Sequence, residues 1–238
     1  MTVKAEGNRM TVLGSSVMLH AIMAVGGLIM VLFLIAHMYG NLKVFAGQEA
    51  FDGYSSYLRT IGEPLLPHSG ALWILRIVLA VSVLAHIFAA FVLWHRARTA
   101  TGGKGGWRYH TSRNRRGVQR SYASFTMRWG GVVILLFTVY HLLHMTANII
   151  APGGASPSPY ERMVNGFSIW WVTLSYVIAL VALGFHIRHG VWSAFASLGA
   201  NTSVLRRQRL NQLAYVITAA VIGGFLVPPL WILMGWVR

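Results

Sequence analysis

The stretch "IWWVTLSYVIALVALGFHIRHGVWSA", residues 169–194, is long enough to cross a bilayer, yet its final third carries His186, Arg188 and His189. A membrane helix needs about 20 mostly apolar residues, and ionisable groups inside one are costly enough to be kept for binding or transfer. Four other stretches have the same character: roughly Val17–Tyr39, Ala71–Trp94, Trp129–Ile150 and Leu213–Trp236. Of the 238 residues, 55% are hydrophobic and 11% charged, and the mean hydropathy is +0.57, which leaves too little polar surface for a soluble globule. The pattern predicts an all-α integral membrane protein with five transmembrane helices in a single membrane domain spanning 1–238. A barrel would read instead as short alternating strands. The opening "MTVKAEGNRM" has no compact apolar region followed by a small-residue cleavage site, so no removable signal peptide is expected.

Basic residues orient the chain, because Lys and Arg are retained on the cytoplasmic side. Lys4 and Arg9 precede the first helix; Arg96, Arg98, Lys104, Arg108, Arg113, Arg115, Arg116 and Arg120 lie between the second and third; Arg206, Arg207 and Arg209 lie between the fourth and fifth. The other two loops hold only Lys43, Arg59 and Arg162. This orients the multi-pass chain with the N-terminus cytoplasmic and the C-terminus on the outer side; its expected location is the cell inner (plasma) membrane. Much of the net charge of +15 therefore faces the cytoplasm, where it attracts anionic lipid or docks a soluble partner. Nucleic acid is not expected as a partner, since no recognition motif is present.

Cysteine is absent, so this chain alone can build neither disulfides nor thiolate metal sites. The five acidic residues, Glu6, Glu49, Asp52, Glu63 and Glu161, all fall outside the predicted spans. Histidine is the remaining donor for a buried cofactor. Counting at about 1.5 Å per residue along each helix sorts the membrane histidines into two layers. His37, His141 and His144 share the outer half, while His86 and His186 share the cytoplasmic half, with His189 one turn further inward. Four consecutive helices thus offer imidazole at two depths. This suits a four-helix bundle holding two stacked haems, each clamped by imidazoles from two helices. In "HLLH" the two histidines lie about 60° apart around the helix, so both do not ligate one iron. His20 is too shallow for the inner layer, and His68, His95 and His110 belong to loops or interfaces.

The stretches "LFLIAHMYGNLKVFAGQEAFDGYSSYL" (32–58), "LRIVLAVSVLAHIFAAFVLWHRAR" (75–98), "RWGGVVILLFTVYHLLHMT" (128–146) and "GFHIRHGVWSAFASLG" (184–199) resemble the single-chain cytochrome b membrane anchor, of b558 type, of bacterial succinate dehydrogenase or fumarate reductase, respiratory complex II. The resemblance implies an electron-transfer subunit of succinate:quinone oxidoreductase that anchors a flavoprotein subunit carrying FAD and an iron–sulfur subunit. The dicarboxylate chemistry would lie in the flavoprotein. It also implies two haems b and a membrane quinone as cofactors, with a higher oligomer of the complex open. By resemblance the metal ligands are His37, His86, His144 and His186, with His141 and His189 as alternates. Arg128 and Arg188 are candidates for pairing haem propionates, and Ser16, His20 and Arg128 for the quinone. Arg76 is a candidate at the outer end. One departure stands out: the residues before His186 read "ALGFH", without the carboxylate that some members carry there. Three alternatives accompany this expectation. They are a Rieske-like [2Fe–2S] centre with two histidines from this chain and cysteines from a partner, a histidine-lined proton transporter or channel, and a structural anchor without a redox cofactor.

Overall fold

A computed structural model describes residues 14–100 and 118–238, with side chains from residue 127 onward in the second segment. Lys4, Arg9, Lys104, Arg108, His110, Arg113, Arg115 and Arg116, and the side chain of Arg120, lie outside the described residues. Among the described residues seven α-helices follow one another: α1 Ser16–Leu42, α2 Gln48–Thr60, α3 Gly70–Ala100, α4 Val118–His141, α5 Pro159–Phe167, α6 Trp170–Ser197 and α7 Val204–Leu233. No strand occurs among the described residues. Among the described residues five helices are long and apolar enough to cross a membrane, at Ser16–Ala46, Gly70–Thr99, Met127–Thr146, Trp170–Ser197 and Val204–Leu233. Each leaves large apolar side chains exposed, among them Leu32, Leu84, Leu136, Ile178 and Val216. That surface is suited to lipid rather than water.

Local sequence explains the boundaries. Ser15 caps α1 by accepting from the Met18 amide at 3.2 Å, and Ser203 caps α7 by accepting from the Arg206 amide at 3.2 Å. The Ser203 cap starts the fifth membrane helix at Val204 instead of near Leu213, which puts Arg206, Arg207 and Arg209 on its first turns rather than in a loop. The third membrane helix likewise begins earlier, at Val118, and after His141 it widens into a π-helical turn over Leu142–Thr146. Pro228 and Pro229 lie buried inside α7, where each removes one backbone donor.

Two short helices, α2 and α5, are additions to the five expected spans. Gly47, at φ 88°, makes the turn into α2 that a side chain would disfavour. In α5, Ser158 accepts from the Glu161 amide and Pro159 occupies the first turn. The two helices lock together at one end of the bundle. Asp52 on α2 accepts from Ser158 Oγ at 2.5 Å and from the Tyr160 amide at 3.0 Å, and Gln48 donates to Glu161 at 3.2 Å. Beneath them Val44, Tyr160, Met163, Phe167, Val172, Tyr176 and Ile232 form one buried cluster.

The membrane helices pack in a chain of neighbours. α1 and α6 touch at the centre, α3 lies along α1, α4 lies along α6, and α7 crosses against α6 and α1. Small residues bring backbones close. A Cβ built on Gly26 would sit 3.0 Å from the Ser82 carbonyl oxygen of α3, and one on Gly184 would sit 3.3 Å from Ile222 of α7. No comparable seam joins α3 to α4 among the described residues. In cross-section α1, α3, α4 and α6 therefore form a square with one open edge, and its diagonals run from α1 to α4 and from α3 to α6.

Candidate cofactor site

Each diagonal carries one pair of facing histidines. His37 of α1 and His141 of α4 have ring centroids 5.9 Å apart, and His86 of α3 and His186 of α6 have theirs 6.1 Å apart. Two imidazoles on opposite sides of one metal, with metal–nitrogen bonds of about 2.0 Å, place their centroids about 6.3 Å apart. Both pairs thus stand close to the spacing of two axial ligands. Along α6, Tyr176, which touches His141, precedes His186 by ten residues, so the two pairs are separated by about 15 Å of helix rise.

Hydrogen bonds set the ring nitrogens. His86 Nδ1 lies 2.9 Å from the Met23 carbonyl oxygen, which can only accept, so Nδ1 carries the hydrogen and Nε2 keeps its lone pair. His186 Nδ1 is buried with no hydrogen-bond partner. A buried polar atom without a partner costs about 1–3 kcal/mol, and engagement with a bound group relieves that cost. Glycines keep space beside both rings. A Cβ on Gly27 would lie 3.5 Å from His86 Cε1, and one on Gly131 would lie 3.8 Å from His186 Cε1. Among the described residues no group of three or more His, Cys, Asp or Glu side chains converges. The pairs offer two nitrogen donors each, the number that fills the two axial positions of a haem iron. The donor chemistry and spacing fit that group.

The "HLLH" histidines part company at the end of α4. The structure brings His141, the alternate, to His37, while His144 turns into the packing against α5 and is 2% exposed. A Cβ on Gly166 would lie 2.6 Å from His144 Nε2. Both Nδ1 atoms reach the Tyr176 hydroxyl, at 3.2 Å from His141 and 3.0 Å from His144. Tyr176 was not among the residues singled out in the sequence. One tyrosine in a long apolar run has no signature of its own, and its meaning comes from the helix facing it.

The remaining candidates gather away from the pairs. Ser16 Oγ accepts from Arg96 at 3.2 Å, and His20 Nδ1 stands 2.7 Å from the Ser16 carbonyl oxygen. The Arg128 guanidinium lies 5.8 Å from the ring centroid of Trp94, whose buried Nε1 has no hydrogen-bond partner. Arg76 lies over Trp73 at 4.8 Å, near the α2/α5 end. Arg188 sits about 200° around α6 from His186, so it faces α7, donating to the Tyr215 hydroxyl at 2.8 Å. With His189, Trp192 and Asn211 it lines a cleft of about 300 Å³ between α6 and α7. His68 pairs with Glu63 at 3.0 Å, outside the bundle.

Residues 110–227 match the family model described as succinate dehydrogenase/fumarate reductase transmembrane subunit, a segment that contains His141, His144, His186 and His189. No curated protein and no solved structure matches the chain. The matched segment carries one histidine of each facing pair, the family description is that of a membrane subunit, and the fold supplies five apolar helices of spanning length. The chain belongs to the family of succinate dehydrogenase/fumarate reductase transmembrane subunits, and is a multi-pass membrane component of that complex.

Proposed function

We propose that this subunit relays electrons between an iron–sulfur partner and a membrane quinone through two b-type haems, one held by His37 and His141 and the other by His86 and His186. The observation that carries this reading is a pair of neighbouring imidazoles on each diagonal of one bundle, with ring centroids 5.9 and 6.1 Å apart, close to the spacing of two ligands on one metal. Haem held in this way supplies one-electron transfer at low-spin iron. The protein's part is to fix ring orientation, exclude water and keep the two sites stacked. Four nitrogen donors on four separate helices make the bundle and the electron path the same structure.

The basic end of the bundle, with Arg96, Arg98, Arg206, Arg207 and Arg209, faces the cytoplasm and receives the iron–sulfur subunit, which in turn carries the flavoprotein. His86 and His186 are then the nearer pair. Quinone reduction consumes two protons with two electrons, so carbonyl-directed donors are needed near the entry point. Ser16, His20 and Arg128 stand at that end, and the buried Trp94 indole N–H is a further donor there. The test is His86→Ala and His186→Ala in the assembled complex. The proposal expects loss of succinate-driven quinone reduction while the flavoprotein still oxidises succinate with an artificial acceptor. Full quinone reductase activity in either variant, with normal assembly, contradicts it.

A further inference from the structure

We infer that Tyr176 and His144 are positioning residues for His141, joined in one hydrogen-bonded bridge that fixes its tautomer and strengthens it as a ligand; the inference rests on the proposed His37–His141 ligation. A phenol has a single hydrogen, so between two ring nitrogens it donates to one and accepts from the other. The distances, 3.2 Å to His141 Nδ1 and 3.0 Å to His144 Nδ1, put Tyr176 Oη in that position. If His141 binds metal through Nε2, its hydrogen is on Nδ1. Nδ1–H then donates to Tyr176 Oη, and the phenol hydrogen goes to His144 Nδ1. The reverse assignment, with His144 donating and His141 Nδ1 accepting, would need the hydrogen of His141 on Nε2, the atom that binds the metal.

The bridge is held in place. The Tyr176 ring meets Phe137 and Phe167 edge-on, each at a centroid distance of 4.7 Å. His144 is seated against Gly166, where any side chain would collide with its ring. Hydrogen bonds in such a buried chain reinforce one another, and an acceptor on the far nitrogen of a ligating histidine raises its basicity. The other pair is arranged differently, since His86 donates to the Met23 carbonyl and no phenol is involved. His144 therefore acts on the metal through Tyr176, not as its ligand.

A more basic ligand favours the oxidised metal, so breaking the bridge raises the reduction potential of one haem only. Tyr176→Phe removes the acceptor and is expected to weaken the ferric preference about tenfold, an upward shift of about 59 mV for a one-electron couple. His144→Leu should shift the same haem in the same direction by less, and His144→Gln, whose amide oxygen can accept from the phenol, should restore the original value. Phe167→Leu loosens the packing without touching the hydrogen bonds and should leave both potentials in place. The experiment is a potentiometric titration of the assembled complex, followed by haem difference absorbance. Unchanged potentials in Tyr176→Phe, or equal shifts in both His144 variants, overturn the bridge. If Tyr176→Phe does not assemble, the contrast between His144→Leu and His144→Gln decides. Fewer than two haems in the unsubstituted complex overturns the ligand assignment itself, a result separable from failure of the bridge.

Discussion

Replacing each histidine of "HLLH" separately asks which one holds a cofactor, and the geometry makes the two outcomes unequal. His141 faces His37 at 5.9 Å between ring centroids, whereas His144 is 2% exposed and turned toward Gly166 and Tyr176. With one haem per facing pair, His141→Ala removes one of four axial ligands and one of two sites, so haem per complex should fall by about half. His144→Ala leaves all four ligands in place. It deletes a buried ring, at a cost of about 2–4 kcal/mol by analogy with other large-to-small core changes, and removes one acceptor from Tyr176, about 1 kcal/mol more. Its haem content should stay near that of the parent while its thermal stability falls. The assay is haem extraction and quantification against protein in purified complexes, beside melting curves. Half the haem in His144→Ala with a full complement in His141→Ala would refute the assignment and restore His144 as the ligand.

Three further outcomes follow from the packing. Gly166→Ala places a methyl group 2.6 Å from His144 Nε2, and overpacking at so buried a position should cost about 1–3 kcal/mol; a melting temperature equal to the parent's would show that the His144 seat is loose. Asp52→Ala strands the Ser158 hydroxyl and the Tyr160 amide, two donors that end on one carboxylate, for a loss of about 1–3 kcal/mol. For a chain of this size each kcal/mol is read as about 2–4 °C, and limited proteolysis should then cut first between α5 and the preceding loop. Because the chain has no cysteine, single cysteines introduced as Ser56→Cys on α2 and Gln208→Cys at the start of α7 should react with an impermeant thiol reagent from opposite sides of the membrane. Labelling of both from one side contradicts the five-span topology.

Much of this structure is legible in the sequence because lipid makes strong demands on composition. Long apolar runs can only be spanning helices, so the five spans could be read directly, and with them the two histidine levels. Which helices share a level follows from chain direction alone. What the sequence withholds is rotation. Which of His141 and His144 turns toward His37 is a matter of about 60° around α4, and it follows from the packing of His144 against Tyr176 and Gly166 on other elements. Arg188 shows the same limit, since two residues from His186 means nearly the opposite face of α6, toward Tyr215. The start of α7 is obscured because arginines on a first helical turn look like a polar loop, although Ser203 was available as a cap signal. In α5 the capping pattern Ser158–Pro159–Tyr160–Glu161 lies within a Pro- and Gly-rich stretch that suggests only turns.

The most direct measurement is the dithionite-reduced minus oxidised absorption spectrum of the purified complex, with haem and total iron determined on the same sample. The account predicts sharp b-type bands and two haems for each copy of this chain. A complex without haem whose iron exceeds that of the partner's clusters would contradict it, and would place a non-haem centre at one of the histidine pairs.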